Sequence, residues 1–74
     1  MDDEVITFVK VLSNFEGNTH TQLELTLLRI DTTISYFVYS ENEDRKSNYL
    51  DRLQQLTDLF SHIFNGKVPR DFAA

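Results

Sequence analysis

The sequence predicts an all-α protein, a small three-helix bundle with helices at about 3–15, 20–40 and 48–65. Apolar residues recur at steps of three and four in each segment, helix-start and helix-stop residues stand between the segments, and the chain has only two glycines and one proline. A chain of 74 residues has room for one hydrophobic core. We therefore assign 1–74 to a single domain, with 66–74 expected to form a flexible C-terminal tail.

The first helix is predicted from Val5, Phe8, Leu12 and Phe15, which follow one another at steps of three, four and three. Acidic residues precede this stripe, where they suit the positive end of the helix dipole. Gly17 should end the helix, because glycine adopts the left-handed conformation that follows many helices without steric cost.

The second segment is the most apolar part of the chain, and two overlapping capping signals mark its start. Thr19 with Gln22, and Thr21 with Glu24, each have the spacing at which side chains satisfy free backbone N–H groups. Helical spacing then places apolar residues on two sides of the helix. One side carries Leu23, Leu27, Ile30, Ile34 and Phe37, and the other carries Leu25, Leu28, Tyr36 and Tyr39.

A β-hairpin at about 22–39, between two helices, is the alternative prediction and would make the fold α+β. Leucines alternate with polar residues at the start of this segment, and its second half is rich in β-branched and aromatic residues. The hairpin would have to turn near Asp31, where no Asn-Gly, Asp-Gly or proline stands. The helical spacing also continues unbroken through that point, which favours the helix.

The third helix is predicted from the stripe that begins at Tyr49 and ends at Ile63. The preceding residues, 40–48, include no apolar side chain, which is typical of a loop or a solvated helix start. Gly66 and Pro69 follow in the order expected at a helix end. The stripe consists of Tyr49, Leu53, Leu56, Phe60 and Ile63.

Composition excludes several functional classes. The chain has no cysteine, which removes disulfides and thiolate chemistry, and its two glycines cannot build a phosphate-binding loop. The net charge of −5 and the acids just before Arg45 and Lys46 disfavour direct nucleic-acid binding. No apolar run is long enough to span a membrane, and the acidic start is unlike a secretory signal. We expect a cytoplasmic protein that needs no cofactor.

Two carboxylate–imidazole pairs suggest a metal site as one alternative function. His20 with Glu24, and Asp58 with His62, stand four residues apart and so lie on one helical face in each case. Surface pairing is the simpler interpretation. A second alternative is an acidic mimic of nucleic acid that inhibits a basic DNA- or RNA-binding protein, suggested by the excess of acids in the N-terminal third.

The sequence favours a non-enzymatic function, as an adaptor, inhibitor or regulator that acts by contact with a partner protein. No set of residues indicates a catalytic site, and three short helices cannot hide so many apolar side chains. We therefore expect a homodimer that also binds a protein partner. The predicted interface residues are Leu25, Leu28, Tyr36, Tyr39 and Tyr49.

Overall fold

Three helices follow one another in the structure, a computed structural model that describes residues 3–15 and 18–66. Helix α1 spans Asp3–Ser13, α2 spans Thr19–Tyr39 and α3 spans Glu43–Phe64. The described residues include no β-strand. The predicted all-α three-helix bundle is therefore confirmed, and the alternative with a hairpin at 22–39 is wrong.

Helix α1 begins and ends as the sequence predicts, to within two residues. Asp3 and Glu4 lie in its first turn and Lys10 in its last turn, and both charges suit the helix dipole. The chain leaves the helix through a turn in which the Phe15 amide donates to the Leu12 carbonyl at 2.8 Å. Gly17 and the tail at 67–74 lie outside the described residues.

Helix α2 is continuous through Asp31, because its side chains satisfy the helical spacing rather than the alternation of a strand. The helix starts at Thr19 as predicted, but its N-cap is Asn18. The Asn18 side-chain oxygen accepts a hydrogen bond from the Thr21 amide at 3.2 Å. An asparagine at the N-cap is at least as favourable as the threonines that the sequence suggested.

Helix α3 starts at Glu43, five residues before the predicted position of about 48. The Asn42 side chain accepts hydrogen bonds from the backbone amides of Asp44, at 2.9 Å, and Arg45, at 3.2 Å. This cap and the acids of the first turn stabilise a helical start whose first three residues are exposed. The predicted helix stop at Gly66 is confirmed, since Gly66 has a φ of 86°.

The hydrophobic core lies between α1 and α3. Its fully buried members are Val5, Val9 and Leu12 of α1 and Leu56, Leu59 and Ile63 of α3. Leu23, Leu25, Ile30 and Phe8 are partly buried against it. The two longer helices run antiparallel, joined by the short connection 40–42, and α1 packs across them.

The side of α2 that faces this core is polar, and we call it the polar seam. The sequence pattern did not predict it. The buried residues of α2 are Gln22, Thr26 and Thr33. Each threonine hydroxyl donates to the carbonyl four residues earlier in its own helix, at 2.7 Å for Thr26 and 2.8 Å for Thr33. The hydroxyls are thereby satisfied, and the methyl groups remain available for packing.

The side of α2 that carries Leu27 and Ile34 is therefore turned partly away from the core. Leu27 and Ile34 are 52% and 44% exposed, whereas Leu23 and Ile30 are only partly buried. Successive helical residues are rotated by about 100°, so residues that directly follow Thr26 and Thr33 lie roughly a quarter turn from the buried seam. This side of α2 is therefore only partly covered by the described residues.

Replacing Leu59 by alanine should lower the free energy of unfolding by about 2–5 kcal/mol, because this fully buried side chain would leave a cavity. Leu28 is 63% exposed, so Leu28→Ala should change the same quantity by less than about 0.5 kcal/mol. Urea unfolding followed by circular dichroism, at one protein concentration, measures both. Similar losses in the two variants would contradict the observed core.

Gln22→Ala should destabilise the chain by about 1–3 kcal/mol, because it removes a buried hydrogen bond between helices. The Gln22 side-chain amide donates to the Leu12 carbonyl at 3.1 Å and so ties the end of α1 to the start of α2. Hydrogen exchange of the α1 amides should accelerate in parallel. The exposed Gln54→Ala serves as the control, and an unchanged α1 exchange rate in Gln22→Ala would refute the role of this bond.

Candidate functional site

Helix α1 covers only one side of the α2–α3 pair, and only part of its length. It has 11 residues, against 21 in α2 and 22 in α3. Its C-terminal end meets the start of α2 at the Leu12–Gln22 hydrogen bond, and its N-terminal end reaches Arg52 of α3 through Glu4. Two surfaces of the α2–α3 pair therefore stay uncovered by the described residues.

The first surface is a groove on the α1 side, between the N-terminal end of α1 and the α2–α3 connection. We call it the tyrosine–arginine groove. The rings of Tyr36 and Tyr49 stack at a centroid distance of 5.8 Å and join α2 to α3 along it. Two cavities of about 370 and 400 Å³ both have these two rings in their lining and so lie next to each other along the groove. Tyr39 lines its far end.

Every arginine of the described residues lines this groove, although the chain as a whole is acidic. Arg29 and Arg52 lie at the end nearest α1, and Arg45 lies at the end nearest the helix connection. Glu4 is the only acidic residue among the lining side chains of the two cavities. Three guanidinium groups and one carboxylate give the groove a positive balance.

Aromatic rings position two of these guanidinium groups. The Arg29 group lies 5.7 Å from the centre of the Phe8 ring, and the Arg52 group lies 5.3 Å from the centre of the Tyr49 ring. Arg52 also forms an ion pair with Glu4, with 3.1 Å between its Nη1 and the Glu4 Oε2. A guanidinium held over a ring keeps its N–H groups at its edges, where they can bind carboxylates.

The second surface is the side of the α2–α3 pair that faces away from α1, which we call the open face. Within α2, the residues that line the groove, including Thr32 and Tyr36, lie to one side of the polar seam of this helix. By helical geometry, Leu27 and Ile34 lie to the other side. The same argument places exposed apolar residues of α3 beside them. The exposed apolar residues of the open face are Leu27, Ile34, Val38, Leu50 and Phe64, each 44–71% exposed.

Partly buried apolar residues continue the open face between these exposed ones. They are Leu23 and Ile30 of α2 and Leu53 and Phe60 of α3. Helical geometry places Lys46 on this face. Two exposed acids lie at its edges, Asp31 of α2 and Glu43 of α3. The face is thus almost uncharged, in contrast to the acidic remainder of the chain.

The predicted interface residues fall into three places. Tyr36, Tyr39 and Tyr49 come together along the groove. Leu25 is partly buried and packs against the core. Leu28 is exposed, but neither the groove nor the open face includes it.

The two carboxylate–imidazole pairs do not meet in a common site. His20 and Glu24 form an exposed pair on α2, with 2.6 Å between Nε2 and Oε1. Asp58 and His62 lie on α3, and no group of three or more histidine, aspartate or glutamate residues within 3–15 and 18–66 is placed to hold a metal ion. The geometry gives the metal-binding alternative no support.

The arginines of the groove were missed in the sequence analysis, although a signal for them exists. Arg45, Tyr49 and Arg52 follow at steps of four and three on α3, so they share one face of the helix. Arg29 and Tyr36 stand seven residues apart on α2, which also places them on one side. The spacing could not show that these two faces lie next to each other, beside the N-terminal end of α1.

No family model matches the chain, and neither curated proteins nor solved structures include a significantly similar one. In the part of the chain that the structure describes, no helix is both long enough and apolar enough to cross a membrane. The function must therefore be inferred from the two uncovered surfaces.

A double-mutant cycle on Tyr36 and Tyr49 should give a coupling energy of about 0.5–1.5 kcal/mol in the free energy of unfolding, because the rings stack. Tyr36→Ala, Tyr49→Ala and the double variant are compared by urea unfolding. A cycle between Tyr39 and Tyr49 is the control and should be nearly additive. Additive effects of Tyr36 and Tyr49 would contradict the stacked arrangement.

Proposed function

We propose that this chain is a non-enzymatic homodimer that acts by contact with another protein, as an adaptor, inhibitor or regulator. The observation that carries the proposal is the open face, a broad apolar surface that no described residue covers. Monomeric soluble proteins rarely expose contiguous apolar patches of more than a few hundred Å². A small chain also gains much of its stability from association.

A second copy is the occupant that best fits the open face. The face runs along both long helices, so its length of ~30 Å and width of ~20 Å give ~600 Å² per copy, or ~1,200 Å² in a dimer. That area reaches the lower end of the range of stable interfaces. Two such faces packed together form a four-helix core from α2 and α3 of each copy.

Charge also favours a second copy over a charged partner at this face. The exposed acids of α2 and α3 lie at the edges of the face or off it, so two copies can meet at its centre without bringing carboxylates together there. A face with one lysine and with acids only at its edges offers little to an acidic or basic partner. The dimer leaves α1 and the tyrosine–arginine groove on its outer surfaces, where a different protein can bind.

The groove has the composition of a protein-binding site. Tyrosine and arginine are enriched among the residues that dominate binding energy at protein interfaces. All three tyrosines of the chain lie there, with all the arginines of the described residues. No geometric observation favours the acidic-mimic alternative, because Asp3 and Glu4 sit beside the arginines of α2 and α3.

Leu27→Glu should convert the dimer to a monomer, because it places a carboxylate at the centre of the buried face. Analytical ultracentrifugation at micromolar concentration should give about twice the 8.7 kDa chain mass for the natural sequence and the chain mass for the variant. Circular dichroism verifies that the variant stays helical.

Leu28→Glu is the matched control for this experiment. Leu28 is the next residue in the chain, is 63% exposed and lies off the open face. The control variant should remain a dimer. A monomeric natural chain, or equal dissociation of the two variants, would show that the open face is not the dimer interface.

A further inference from the structure

We propose that the tyrosine–arginine groove binds an acidic, extended peptide segment of the partner protein. This inference deepens the proposed function and rests on it, since it names the chemistry of the partner that the contact requires. It concerns the outer surface of the molecule, however, and does not depend on the open face.

The groove has the length of a short peptide. It extends along α2 from the level of Arg29 to the end of the helix at Tyr39 and the adjoining Ser40. Eleven helical steps of about 1.5 Å give ~16 Å, which an extended chain covers with about five residues. Its two ends differ, with two guanidinium groups near α1 and one near the helix connection.

Charge complementarity determines the class of segment. Arg29, Arg45 and Arg52 outnumber Glu4 in the lining. No carboxylate of a described residue forms an ion pair with Arg29 or Arg45. Carboxylates of a bound segment can accept charge-assisted hydrogen bonds from both ends of the groove.

The middle of the groove suits an apolar or aromatic side chain between the carboxylates. The stacked rings of Tyr36 and Tyr49 lie there, in the lining of both cavities. An aromatic ring can pack against the tyrosines while the flanking carboxylates reach the arginines. The expected segment is therefore acidic at both ends and apolar at its centre.

The test uses the full chain labelled with ¹⁵N and the peptide acetyl-Glu-Glu-Phe-Glu-Glu-amide. Titration to millimolar peptide should shift the backbone amide signals of groove residues in a saturable way, and the shifts should decrease with added salt. The peptide with lysine in place of glutamate, and inorganic phosphate at equal ionic strength, should leave them unchanged. Equal shifts with phosphate alone would show a general anion site and overturn the proposal.

Charge-reversal variants separate specific contact from general attraction. Arg45→Glu should weaken peptide binding by about ten-fold, because it removes a guanidinium from the groove and adds a repelling charge. Lys10→Glu changes the net charge equally at an exposed site on α1, outside the groove, and should change the affinity by less than about two-fold. Equal effects of the two variants, or no saturable binding by the natural chain, would refute the peptide site.

Peptide binding at the groove should not depend on dimer formation. The monomeric Leu27→Glu variant should bind the peptide with the same affinity per chain, since the open face lies away from the groove. Binding to a chain that proves monomeric would leave the groove proposal standing while the homodimer failed. A dimer that does not bind the peptide would overturn the groove proposal alone.

Discussion

The whole arrangement depends on one constraint, that a single short helix must cover a pair of helices nearly twice its length. Helix α1 fills the core with Val5, Val9 and Leu12, and these side chains reach only part of α3. The pair has two sides, and α1 lies on one of them. The groove and the open face both stay uncovered because α1 is short and lies on one side of the pair.

The polar seam of α2 is the packing solution that makes this arrangement possible. Threonines are small, and their hydroxyls bond to their own helix, so Thr26 and Thr33 can face the core without unsatisfied polar atoms. Gln22 adds a side-chain hydrogen bond that links α2 to the end of α1. The larger apolar residues of α2 are left at the edge of the core or on the open face.

The two surfaces differ in chemistry as well as position, which is why we assign them different occupants. The open face is apolar and nearly uncharged, as expected for contact between identical copies. The groove combines tyrosines with arginines, as expected for recognition of a separate partner. A dimer formed through the open face would carry two such grooves, and a partner with two acidic segments would gain affinity by binding both.

The sequence by itself determined the helical fold, the start of α2 and the end of α3, because local spacing and capping act within a few residues. It also grouped the three tyrosines around a polar segment, and the structure brings them together along the groove. Only the tertiary structure decided which side of α2 is buried. Helical spacing groups residues into faces, but Leu27 and Thr26 belong to neighbouring faces, and their burial depends on where α1 and α3 lie. The arginine cluster has the same origin, since Arg29 and Arg52 line one cavity only when α2 and α3 fold against each other beside the start of α1.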